Sequence, residues 1–187
     1  MARDEDQLLT TIAEHLARRP TASMDQVARS AGISRATLHR QFANRDVLVR
    51  RLEQLALRRL GSVLETARID EGPADQAVRR VVDQVQPHAS LLAFLFTENQ
   101  LFEPEAVHQG WQALDDRFVE LFRRGQHEGV FRVDLTAVWL TEALYALVTG
   151  CAWAVLEGRV AGRDAQWMVT TLLLDGARRE PAREVRR

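Results

Sequence analysis

Apolar residues in this chain recur every three or four positions. Proline or glycine interrupts them at Pro20, Gly32, Gly72, Pro73, Pro87, Pro104, Gly125, Gly129, Gly158, Gly162 and Pro181. That period matches the turn of an α-helix and gives each segment one apolar stripe, whereas a half-buried strand needs a period of two. Leu8, Ile12, Ala13 and Leu16 share one face, as do Val47, Leu48, Leu52 and Leu55, followed by Leu60, Val63 and Leu64. No pair of alternating β-branched runs flanks a hairpin turn, so the chain reads as all-α. About nine helices are expected, near residues 4–18, 24–31, 35–41, 45–69, 74–86, 88–99, 104–127, 135–157 and 163–179.

A length of 187 residues allows a small domain joined to a larger one without a disulfide or metal to hold either together. The single cysteine, Cys151, lies in an apolar run and suits a reducing compartment. Asp4, Glu5 and Asp6 stand where an export signal would be basic, so a cytoplasmic location is expected. The longest uncharged run, Ala143 to Leu156, is shorter than the roughly 20 residues that cross a bilayer, so no membrane partner is expected. Net charge is −1, but it is unevenly spread. Residues 29–59 hold Arg29, Arg35, Arg40, Arg45, Arg50, Arg51, Arg58 and Arg59 against only Asp46 and Glu53. Such a local cationic excess is what a surface that meets phosphates carries.

The stretch 23–42 holds the most specific pattern. Ser23 and Gln26 have the spacing of a capping box, and Val27 and Ala28 follow as a buried pair. Gly32 can supply the left-handed residue that ends a helix, Ser34 can cap the next one, and Leu38 and Phe42 form its buried ridge at i and i+4. Two short helices about a glycine turn form the unit that lays its second helix in the major groove. The candidate DNA contacts are therefore Ser23, Ser34, Arg35, Ala36, Thr37, His39, Arg40, Gln41, Asn44 and Arg45. Arginine suits guanine edges and phosphates, a methyl group suits thymine, and Asn44 can cap a third helix whose first N–H groups, with Arg45, hold another phosphate.

These residues resemble the TetR family of transcriptional regulators over about the first 50 positions. The resemblance rests on Ala31-Gly32-Ile33-Ser34, then Thr37, Leu38, His39 and Phe42, then Asn44, Arg45, Asp46 and Leu48. His39 and Gln41 depart from the family pattern, which has tyrosine and commonly histidine there. The glycine-rich turn followed by Phe131, Arg132, Asp134 and Leu135 is similar to the family's approach to its penultimate helix. The resemblance implies a three-helix DNA-binding domain at 1–47, a ligand-sensing and dimerisation domain at 48–187, and repression of an operator that a small molecule relieves.

In the second domain, all four tryptophans and most other aromatic residues lie beyond residue 90. Phe94, Asn99, Phe102, Trp111, Leu114, Phe118, Trp139 and Tyr145 are the candidate walls of a largely apolar ligand cavity. Asp134 can cap the helix expected to begin at Leu135. Ala143, Ala146, Gly150 and Ala154 form a small-residue stripe on that helix, and Trp167, Met168, Thr171, Leu172 and Leu174 lie on the next. Two such helices from each subunit would make a four-helix homodimer interface. The expected partners are thus double-stranded operator DNA, a small-molecule effector and a second copy of the chain. The five histidines are scattered, and neither paired carboxylates, metal-ligand spacing nor a phosphate loop is present, so neither catalysis nor a cofactor is expected. The competing reading is a helical DNA-binding or partner-binding protein that senses nothing, which would have a dry, fully packed second domain.

Overall fold

The computed structural model describes residues 2–99 and 109–178. Nine α-helices lie within them: α1 Ala2–Arg18, α2 Met24–Ser30, α3 Arg35–Gln41, α4 Arg45–Thr66, α5 Ala74–Val85, α6 Ala89–Asn99, α7 Gln109–His127, α8 Ala137–Leu156 and α9 Gly162–Ala177. A 3-10 turn, Gln86–His88, bends the chain between α5 and α6 where Pro87 cannot supply an N–H. Phe131 and Arg178 form a single isolated bridge, and no strand occurs among the described residues.

The interior divides into two apolar clusters. The first joins Leu9, Ile12 and Leu16 of α1 with Val27, Leu38 and Phe42, and then takes in Leu48, Leu52, Leu55 and Ala56 of α4 and Leu91, Phe94 and Leu95 of α6. The second begins at Leu60 and fills the space among α4, α5, α7, α8 and α9. Packing therefore changes hands within α4, between Ala56 and Leu60, and the amino-terminal core borrows part of its wall from α4 and α6.

Two helix ends differ from expectation for identifiable reasons. α4 stops at Thr66 rather than 69, and Arg68 adopts φ +47°. The Arg80 guanidinium donates to the carbonyls of Ala67, Arg68 and Glu71 at 2.6, 3.0 and 2.7 Å, holding the turn that replaces the last helical residues. α8 begins at Ala137 and is capped by Thr136, whose hydroxyl accepts from the Trp139 N–H at 3.1 Å. Asp134, expected to cap it, pairs with Arg132 instead. The residues 100–108, which include Phe102 and the expected start of α7, lie outside the described residues.

α8 is apolar nearly all round, with Glu142 its only charged residue. Its 20 residues are long and apolar enough to cross a bilayer by composition alone, a longer apolar helix than the uncharged run from Ala143 defines. It packs against α6, α7 and α9 and leaves its remaining face open.

Candidate functional site

The reading unit is built from caps. Ser23 accepts from the Gln26 N–H at 3.4 Å while the Gln26 side chain accepts from the Ser23 N–H at 2.8 Å, closing the box that starts α2. Gly32 takes φ +69°, a region where a Cβ would be strained, and the Ile33 N–H returns to the Ala28 carbonyl at 3.0 Å. Ser34 caps α3 by accepting from the Thr37 N–H at 3.1 Å. Leu38 and Phe42 are fully buried, which fixes α3 by its underside and leaves Arg35, Ala36, His39, Arg40 and Gln41 exposed and Thr37 half-buried. Asn44 caps α4 through its Oδ1, 2.9 Å from the Val47 N–H, so its side chain is committed to the helix. Arg35 lies 2.8 Å from Asp25, an exposed pair that a phosphate can displace at little expense.

The cationic excess seen in the sequence is only partly outward. Arg58 donates to Asp6 at 2.8 Å, Arg59 to Thr10 at 2.6 Å, and Arg51 lies 3.7 Å from Glu5, all on α1. Arg45, expected on a phosphate, turns its guanidinium inward to Glu98 and to the carbonyls of Pro20 and Ala22. Acidic residues on α1 and α6 that are distant in sequence thus absorb three of the eight arginines and the Thr10 hydroxyl engages a fourth, pairings that a local charge count cannot detect. Arg29, Arg40 and Arg50 remain exposed.

Behind this unit lies a cavity of about 180 Å³. Leu60, Val81, Val85, Leu92, Leu95, Phe96, Trp111, Leu114, Phe118, Leu144, Tyr145 and Val148 give it apolar walls, and Asp115 and Thr149 are its other polar neighbours. Phe118 and Tyr145 meet edge to face with centroids 5.4 Å apart. The Tyr145 hydroxyl donates to Asp115 at 2.8 Å. Burial raises the Asp115 pKa against the opposing pull of that hydrogen bond, with the Asp116 charge adding to the rise. Burial, followed by the Asp115 charge and hydrogen bond, also pushes Tyr145 well up, so its hydroxyl stays protonated. The Trp111 Nε1 is buried without a hydrogen-bond partner among the described residues.

Of the expected walls, Trp111, Leu114, Phe118 and Tyr145 line this cavity. Phe94 does not: it is buried in the amino-terminal cluster, with the Arg45 guanidinium 6.0 Å above its ring. Trp139 does not either, since it lies on the outer face of α8 and is 59 % exposed. Asn99 ends α6, and Phe102 lies outside the described residues. Sequence reasoning missed Asp115, whose signal was a carboxylate one position from buried Leu114 on an otherwise apolar face.

The open side of α8 and α9 is apolar. Ala146 and Gly150 are exposed and Ala143 and Ala154 half-buried, and a Cβ added at Gly150 meets nothing within 4 Å. Trp167 is 67 % and Leu172 64 % exposed, with Thr171 half-buried between them. Leu174, expected on this face, is fully buried in the chain's own core, because it falls on the side of α9 turned toward α5 and α8.

Comparison with known proteins matches residues 8–52 to a family model described as bacterial regulatory proteins, tetR family. Over 181 residues the chain is 32 % identical to the HTH-type transcriptional regulator NfxB of Pseudomonas aeruginosa, covering 96 % of each chain. It is 25 % identical over 167 residues to the HTH-type transcriptional repressor LfrR of Mycolicibacterium smegmatis, covering 89 % of this chain and 85 % of that one. The crystal structure of the TetR-like regulator LfrR from Mycobacterium smegmatis in complex with proflavine superposes with a TM-score of 0.75 at 25 % identity, covering 96 % of this chain and 100 % of that one.

Proposed function

The chain belongs to the TetR family of bacterial regulatory proteins, DNA-binding transcriptional regulators rather than enzymes, and from that premise we propose that it is a cytoplasmic repressor released by a small, largely apolar ligand. Two copies of α3, carried by a twofold dimer, enter successive major grooves of a pseudo-palindromic operator. Arg35, Ala36, Thr37, His39, Arg40 and Gln41 do the reading, and the Ser23, Ser34 and Asn44 caps hold helix N-termini toward phosphates. The dimer forms across the open faces of α8 and α9, through Ala143, Ala146, Gly150, Ala154, Trp167 and Thr171, because tryptophan and leucine side chains exposed to this extent need cover.

The observation that carries ligand sensing is the cavity itself, which a packed helical protein with no sensing role would lack. Its walls favour a flat aromatic molecule, and a half-buried carboxylate, Asp115, favours one that is positively charged. LfrR, similar along nearly the whole chain, was crystallised with proflavine. About 180 Å³ is small beside the roughly 300–1,000 Å³ of typical ligand sites, so a ligand of that size must push a wall outward. The free energy of binding drives that displacement, and a coupling of about 1–3 kcal/mol between the two sites suffices for release.

The experiment is selection of bound fragments from a pool of random duplex DNA, followed by titration of the recovered complex with proflavine. Enrichment of a twofold-symmetric sequence that proflavine releases is the expected result. Recovery of no duplex at low salt would refute DNA reading, and a bound fragment indifferent to proflavine would refute this ligand class.

A further inference from the structure

The cavity wall and the grip on the reading unit meet on one helix. α6 turns Leu92, Leu95 and Phe96 to the cavity, buries Leu91 and Phe94 in the amino-terminal core, and carries Glu98 in its last turn. The Glu98 side chain is only 5 % exposed. Its Oε1 accepts from Arg45 Nε at 3.1 Å and its Oε2 from Arg45 Nη2 at 3.0 Å, a two-pronged ion pair. The same guanidinium donates from Nη1 to the Ala22 carbonyl at 3.2 Å and from Nη2 to the Pro20 carbonyl at 2.6 Å. Arg45 is the first residue of α4 and closely follows Gln41, the end of α3, while Pro20 and Ala22 belong to the turn that leads into α2. One planar cation therefore ties α6 to both ends of the helix-turn-helix.

We propose that Arg45 and Glu98 are a positioning pair that sets the aim of α3 and makes it follow α6. The proposal rests on the ligand reading above but concerns residues that touch neither DNA nor ligand. A guanidinium spends its donors in fixed directions, so it cannot hold Glu98 and both carbonyls if these part company. Helix shifts in switching proteins are about 1–2 Å, enough to break bonds of this length. A ligand that moves Leu92, Leu95 and Phe96 outward moves Glu98 with them on the same rigid helix. Leaving a buried carboxylate unpaired is strongly disfavoured, so Arg45 follows Glu98 and the turn at Pro20 to Ala22 either swings with it or is let go. Either outcome re-aims α2 and α3 with no change in their own fold.

Two readouts on Glu98→Gln, Arg45→Lys and the conservative Glu98→Asp test the pair. In a Cys151→Ser background, spin labels at Arg29→Cys on α2 and Glu157→Cys beyond α8 report the aim of the reading unit within one subunit, in dimers diluted with unlabelled chain. Wild type gives one narrow distance; Glu98→Gln and Arg45→Lys broaden it at unchanged helical circular dichroism, and Glu98→Asp restores part of the sharpness. An unbroadened distribution in both variants overturns the proposal. The second readout is the factor by which proflavine weakens binding to the selected duplex, within roughly 5–150-fold for wild type. The variants retain less than about a third of that factor while binding proflavine as wild type does. A full factor in the variants overturns the proposal. If wild-type binding is indifferent to proflavine, the ligand reading has failed, and the distance measurement alone decides the pair.

Discussion

The outward faces of α3 and of α8 and α9 are both open in the single chain, and their chemistry is opposite. α3 shows arginine, histidine, glutamine and alanine above a ridge of Leu38 and Phe42. α8 and α9 show Trp139, Trp167, Met168 and Leu172 around a floor of small residues. A polar face rests in water at no expense, so its occupant is inferred from charge, geometry and the helix ends that frame it. An apolar face of this kind is unfavourable in water, so its burden is to be covered; in the proposed dimer the cover is the same face of a second copy, which the small residues on the floor let approach closely. The family relationship joins these two inferences into one molecule: a dimer fixes the separation of its two reading helices.

The comparison breaks most severely if the polar face loses its support. Leu38→Ala should cost about 2–5 kcal/mol of stability in urea unfolding, because a fully buried ridge residue leaves a cavity under α3. The dimer mass should survive, since Leu38 and the α8–α9 face lie in different clusters; dissociation would show that the two faces are not independent. Gly150→Trp acts on the other face. A Cβ there meets nothing within 4 Å in its own chain, so loss of the dimer by light scattering, from overpacking of about 1–3 kcal/mol, is expected at unchanged helicity. A dimer of unchanged mass would mean that something else covers the stripe.

A third test separates the cavity from both faces. Asp115→Asn should weaken proflavine binding by about 1.5–3 kcal/mol in fluorescence titration and leave DNA affinity without ligand intact. The pH dependence has a definite sign. Burial raises the Asp115 pKa, so its charge is lost at a higher pH than for an ordinary aspartate. A bound cation favours the charged form, so proflavine binding should weaken as pH falls through that titration, and Asp115→Asn should remove the slope. By linkage, the folded chain's preference for protonated Asp115 stabilises it in acid, and that contribution is lost as pH rises through the raised pKa. The smallest effect is Ser23→Ala, about 1 kcal/mol from loss of the α2 cap, read as a lowered melting temperature.

The helix-turn-helix was legible in the sequence almost residue by residue because its determinants are local: a cap, a glycine and a two-residue ridge, all within 20 positions. The long helices were legible to within a few residues for the same reason, and their ends failed where a distant group intervened, as Arg80 does at the end of α4. The cavity was legible only as a class of side chain. Whether Phe94 or Phe96 faces it depends on how α6 is shared between two cores, and helical spacing cannot reveal that. Arg45 is the sharpest case: beside Asn44 it reads as a phosphate ligand, and only its meeting with Glu98, remote in sequence, shows that the guanidinium is occupied.

The central claim is that the exposed side of α3 reads duplex DNA. Binding of the selected duplex by wild type and Arg40→Ala, measured across a series of salt concentrations, tests it most directly. The account predicts a loss of about 1–3 kcal/mol with an intact dimer, and a shallower salt slope if the guanidinium meets a phosphate. Equal affinity of the two proteins at every salt concentration would contradict it.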